Sequence, residues 1–200
     1  MKNYFILSLL IFGWIPNIQA QMDQDSLPYY QIPDTPEVYH AGTVIARMID
    51  GLGFRYYWAT EGLRTEDLAF KPNEDARTTD YTLDHIHGLC RVVLNTAKKV
   101  PHEASSANSN LSFAKKRQQT LLMLKEASDI FRSSDPDTIE DFEIIFKRGK
   151  SESVVPLWNL INGPIADAIW HVGQIVSFRR SSGNPMDSRV SVFQGKLRKP

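Results

Sequence analysis

Four long stretches of this 200-residue chain repeat apolar residues at helical spacing, and proline, glycine or Asp-Pro punctuation separates them. A pattern of that kind confines the chain to packed helices. Thr35-Pro36-Glu37 predicts the first helix start: a capping hydroxyl, a proline at the first helical position and an acid near the positive end of the dipole. This helix runs to about Glu61, with Val38, Ile45, Met48, Ile49, Leu52, Tyr56 and Ala59 on its apolar stripe and Gly51 and Gly53 weakening its middle. Thr65 to Leu68 predicts a short helical turn, broken by Lys71-Pro72-Asn73.

The second long helix begins near Asp80, carries Ile86, Leu89, Cys90, Val93 and Ala97 on one stripe, and stops before Pro101. The third runs from about Ser112 to Arg132, with Lys115, Lys116, Arg117, Gln118 and Gln119 on a wet face and Leu121, Leu122, Leu124 and Ile130 turned inward. After the turn signal Asp135-Pro136-Asp137, residues Phe142 to Lys147 fit a short strand or a helical turn equally well. The fourth helix is expected from about Val155 to Arg180, kinked at Gly163-Pro164 and closed by Arg179, Arg180, Gly183 and Pro185. The tail over 186–200 alternates Val190, Val192 and Gln194 and is expected to be extended. Four long helices in one chain predict an all-α fold class, a four-helix bundle. No internal repeat or low-complexity tract interrupts it.

The amino terminus has a different character. Lys2, an apolar run from Phe5 to Ile15 and Ala20-Gln21 have the layout of a secretory signal peptide over residues 1–20, cleaved after Ala20. The run is too short to cross a bilayer comfortably, which takes roughly 20 apolar residues. The expected mature protein is therefore periplasmic or secreted, without a stable membrane anchor. Residues 21–36, with Pro28, Pro33 and Pro36, read as an extended lead-in. Removing the leader leaves 22 basic and 23 acidic side chains, a balance that carries no footprint for nucleic acid. Cys90 is the only cysteine, so no intrachain disulfide forms, and packing, with or without a metal, must supply the stability. On the apolar stripe, Cys90 reads as a small buried hydrophobe and not as a nucleophile.

The chemistry concentrates in the last helix. Between Gly163 and Phe178 there is one acid, Asp167, one histidine, His171, and no lysine or arginine. Asp167, His171 and Gln174 are spaced i, i+4 and i+7 and so share one stripe. An i, i+4 pair can aim a carboxylate oxygen and an imidazole nitrogen at one metal ion. The bland alternatives are a solvent-facing stripe or an Asp167–His171 hydrogen bond. A metal site in a bundle also needs a ligand from a facing helix. The second helix offers His85 and His87, which both flank its apolar stripe, so the helical wheel does not choose between them. His40 is a further candidate, and His102 falls in a loop after Pro101.

The string Asp167-Ala-Ile-Trp-His171-Val-Gly-Gln174-Ile, followed by Arg179-Arg180 and Gly183-Asn184-Pro185, resembles the last-helix signature of the DinB-like superfamily. In that signature two histidines four apart precede a Gly-Gln pair, basic residues and a Gly-x-Pro turn. Leu83-Asp84-His85-Ile86 resembles the segment that supplies the family's first histidine, and Leu63 to Pro72 the linker before it, so the resemblance covers residues 37–185. It implies an up-down-down-up four-helix bundle holding a divalent metal on three histidines, used in several members for thiol-dependent transfer or related chemistry. By position His85 and His171 match two ligands, whereas Asp167 stands at the third.

Two imidazoles and a carboxylate make a competent open site for Zn, Ni, Fe(II) or Mn. Asp167 could instead orient His171, with His87 or water completing the shell, or the metal could be lost. Gln174 would be a hydrogen-bonding group behind the ligands, and Trp170 a wall of the pocket or of the core. The resemblance therefore implies a metal-dependent hydrolase or transferase acting on a small molecule. The competing class is a non-catalytic exported bundle that binds a ligand or protein partner. A homodimer is expected from analogy with the architecture alone.

Overall fold

The computed structural model of the protein describes residues 27–103 and 111–199. The expected leader over 1–20 and the first part of the lead-in, 21–26, lie outside the described residues. Within them the chain is mostly helical: α1 spans Ala41–Thr60, α2 Thr65–Ala69, α3 Thr79–Ala97, α4 Phe113–Arg132, α5 Trp158–Leu160 and α6 Ala166–Ser181. A short strand β1, His102–Glu103, lies parallel to β2, Ile144–Arg148, which forms an antiparallel hairpin with β3, Ser151–Val155. A second small hairpin joins β4, Val190–Ser191, to β5, Lys196–Leu197.

Helices α1 and α3 each pack against both α4 and α6. The apolar stripes meet there: Ile49, Leu52 and Tyr56 of α1, Leu83, Ile86 and Val93 of α3, Leu121, Leu124 and Phe131 of α4, and Val172 and Ile175 of α6 form one buried cluster. Burying each such side chain contributes about 1.5–3 kcal/mol, which makes this seam the main source of stability. The helix starts are capped as their sequences require. Thr78 Oγ1 accepts the Tyr81 N–H at 3.2 Å, and Ser112 Oγ accepts the Lys115 N–H at 3.4 Å.

Several expectations are corrected. Helix α1 starts at Ala41 and not at Thr35-Pro36-Glu37, and Val38 lies outside it, 64% exposed. The first turn is set at His40, whose N–H donates to Thr43 Oγ1 at 3.0 Å, and tertiary bonds hold the lead-in before it. The Pro33 carbonyl accepts from Arg47 at 2.7 Å, the Tyr30 carbonyl from the Trp58 indole at 3.1 Å, and the Ile32 N–H donates to the Gly195 carbonyl at 2.8 Å. Tyr29 folds into the core at φ +77°, a left-handed conformation costing about 1–2 kcal/mol. Its hydroxyl donates to the buried Asp50 at 3.1 Å, and Ser128 and Arg132 donate to the same carboxylate. Gly53, unfavourable by propensity, has a packing reason: a Cβ there would stand 2.4 Å from the Tyr29 ring.

On α4 the expected wet face is half wrong. Lys116 is buried, its ammonium paired with Asp80 at 2.8 Å and Asp84 at 2.7 Å, and Arg117 is buried against Thr60 and Glu61, whereas Leu122 is exposed. Ile144–Arg148 resolves the strand-or-turn ambiguity as a strand, and Val155 belongs to β3 and not to the last helix. The Gly163-Pro164 break is present as a π-type turn over Ile161–Ile165, because Pro164 has no N–H for the Leu160 carbonyl.

Asp67 of α2 knots the carboxyl end of α6 to the α1–α2 corner. Its buried carboxylate accepts from the Arg64 backbone and guanidinium, from Ser182 Oγ at 2.5 Å and from Asn184 Nδ2 at 2.6 Å. Hydrogen bonds from Arg64 above all, then from Ser182 and Asn184, hold its carboxyl well below the usual carboxylate range. A carboxyl depressed in the folded state stabilises fully above its unfolded value of about 4, and the contribution is lost as pH falls below that. Asp67→Ala is expected to cost about 3 kcal/mol at pH 7, and the gap from the parent protein to shrink steadily below about pH 4, as read by urea denaturation across pH.

Candidate metal centre

The helical phase of α3 decides between its two histidines. Asp80, Asp84 and His87 share the stripe that faces α4, where the two carboxylates bind Lys116 and His87 Nδ1 meets Thr120 Oγ1 at 2.9 Å. Thr120 gives its own proton to the Lys116 carbonyl, so His87 donates from Nδ1. Burial first, then the positive charges of Arg91 and Lys116, pushes the His87 pKa down and keeps the ring neutral. His87 is thus a satisfied core histidine, and the expectation that it completes a metal shell is corrected. Two positions earlier, His85 points the other way, toward α6.

There it meets Asp167 and His171. His85 Nε2 lies 3.2 Å from Asp167 Oδ2, and His171 Nε2 lies 3.3 Å from Asp167 Oδ1. The two imidazoles cross edge to face with centroids 4.7 Å apart. One donor atom from each of the three residues falls within 4.8 Å of the other two. Ligand atoms on a tetrahedral ion with bonds of about 2.0–2.1 Å stand about 3.3 Å apart, so the three donors would have to draw together to hold a small divalent cation. All three residues are only partly buried. The side chains of His85 and Asp167 are 38% and 41% exposed, so solvent reaches the cluster.

Gln174 sits behind the cluster as its spacing predicts. Its Oε1 lies 2.8 Å from His171 Nδ1 and accepts the proton there. A neutral His171 so bonded turns a bare Nε2 lone pair toward the Asp167 carboxylate, and two acceptors 3.3 Å apart repel unless a cation or a proton stands between them. With the Nδ1 proton bonded to Gln174, Nε2 is the ring nitrogen left to meet a cation or to carry a second proton toward Asp167.

The other candidates stand apart. Trp170 walls neither the core nor an enclosed pocket: its side chain is 72% exposed. His40 precedes the first turn of α1, and His102 lies in β1 beside Phe146 and not in a loop. Neither joins the cluster. Cys90 is fully buried, and burial pushes its thiol pKa up, as befits a small hydrophobe. The residue missed in the sequence is Lys116. Its signal was the stripe of Asp80, Asp84 and His87 facing a helix that offers Lys116 and Thr120 one turn apart.

No family model, curated protein or solved structure matches the chain. In the metal-free protein at a pH where the ring is neutral, ¹⁵N chemical shifts of His171 are expected to show the proton on Nδ1. Gln174→Leu is expected to erase that preference; an Nε2-protonated ring in the parent protein would contradict the assignment.

Proposed function

We propose that the chain is an exported four-helix bundle of the DinB-like type, built up-down-down-up, that holds one divalent metal on His85, Asp167 and His171. The observation that carries this reading is the convergence of three donors from α3 and α6, with His85 and Asp167 separated by 82 positions in the chain. Lys2, the run from Phe5 to Ile15 and Ala20 support export to the periplasm or the cell exterior. Among the described residues no helix is long and apolar enough to cross a membrane.

Zn, Ni, Fe(II) or Mn bound in such a site would supply Lewis acidity to a water, thiol or carbonyl. The chain's own residues set the conditions for that chemistry. Asp167 lowers the charge of the centre by one unit relative to three neutral histidines, and Gln174 holds His171 with Nε2 free. The partial exposure of His85 and Asp167 leaves room for a small-molecule substrate, consistent with a metal-dependent hydrolase or transferase.

A second reading has one observation in its favour. Both oxygens of Asp167 already face an imidazole, so with protons in place of a metal the cluster is a closed polar pair in a non-catalytic bundle that binds a ligand or protein partner. The two readings separate by titration. Equilibrium dialysis of the purified protein against Zn or Ni is expected to give one ion per chain, with affinity falling at least about a hundredfold in both His85→Ala and His171→Ala. No binding, or binding indifferent to both substitutions, would establish the non-metal reading.

A further inference from the structure

A cleft of about 460 Å³ lies at the end of the molecule where α1 begins. Its walls come from Val44 and Ile45 of α1, from Ile139, and from Leu157, Trp158 and Ile161 on the approach to α6. None of the three candidate metal ligands lines it. The volume falls in the range of about 300–1,000 Å³ that holds small molecules, and the walls offer apolar area worth about 25 cal/mol per Å² to a ligand that covers it. The charged lining residues are Glu140 and Glu143, with no lysine, arginine or histidine opposite.

Among the described residues no ion pair takes up either carboxylate. The neighbouring cation, Lys99, is turned elsewhere: its ammonium pairs with Asp141 and lies 4.5 Å from the centroid of the Phe142 ring. Trp158 adds a third feature. Its indole is 78% exposed, a large apolar ring left in water at the rim of an apolar cleft.

We propose that this cleft binds an amphipathic amine, with the apolar body between α1 and the Leu157–Ile161 turn and the ammonium at Glu140 and Glu143. Charge complementarity selects that class. Two carboxylates with no opposing cation repel a fatty acid or other anionic amphiphile and attract an ammonium group, while the walls require an apolar body. The exposed face of Trp158 gives the cation a further favourable contact. The site is separate from the candidate metal centre, and the proposal does not rest on it.

Calorimetric titration of the purified protein, in chelator, with n-octylammonium, n-octanol and n-octanoate tests the assignment. The expected result is one octylammonium per chain, bound about tenfold more tightly than octanoate, with octanol between them. Glu140→Gln combined with Glu143→Gln, two exposed and structurally neutral changes, is expected to bring the three probes within about twofold of one another. Val44→Trp, from a position already 48% exposed, is expected to fill the cleft and weaken octylammonium at least about tenfold with the helical circular dichroism unchanged. Octanoate binding as tightly as octylammonium, no octylammonium binding, or a preference that survives the double glutamine change would overturn the proposal.

Discussion

The geometry of the candidate centre depends on where α6 sits along α1, and one buried cation fixes that position. Arg179 is buried and donates to the Trp58 and Ala59 carbonyls at 3.1 and 3.0 Å, two of the acceptors that the carboxyl end of α1 leaves without helical partners. On its other side it donates to the Asn184 carbonyl at 2.7 Å, and Asn184 in turn donates to Asp67. A guanidinium with donors in a rigid fork tolerates little sliding, and an unpaired charge at that depth would cost several kcal/mol. His171 lies eight residues earlier on the same helix, about 12 Å along its axis at 1.5 Å per residue. Axial placement of Asp167 and His171 is thus set two turns away, by residues that do not touch them.

The opposite end of the helix is deliberately irregular. Pro164 removes one bond of the ladder and Gly163 leaves the helical region at φ −96°, ψ −106°, so the approach from Trp158 is rotated out of phase with α6. Ile161 and Trp158 stand on the wall of the apolar cleft while Asp167, just beyond the break, faces His85. One stretch of chain thus presents two faces, one to the cleft and one to His85.

Much of this was legible in the sequence, and the parts that were not share a cause. Helices α3 and α4 appear where the apolar periodicity puts them, starting within a residue of Asp80 and Ser112, and the Asp167, His171 and Gln174 stripe follows from spacing within one helix. The failures concern contacts between distant segments. Thr35-Pro36-Glu37 has every local mark of a helix start, yet the first turn forms at His40, whose N–H donates to Thr43 Oγ1, while Tyr29, Tyr30 and Pro33 just before it are held by α1. Lys116 reads as a surface charge until Asp80 and Asp84 are known to face it. The choice between His85 and His87 was open for the same reason, since both flank one apolar stripe and only the neighbouring helices tell them apart. Trp170 shows the converse: absence of charge around a residue does not bury it, because α6 covers only one of its faces with partners.

The central claim is that α3 and α6 bring two imidazoles and a carboxylate to one cation. Anomalous X-ray diffraction from crystals grown with Zn measures this directly. The account predicts a single strong peak per chain within about 2.0–2.2 Å of His85 Nε2, His171 Nε2 and an Asp167 oxygen, with Gln174 still bonded to His171 Nδ1. A peak elsewhere on the molecule, or His85 and His171 joined to Asp167 only by hydrogen bonds with no metal between them, would contradict it.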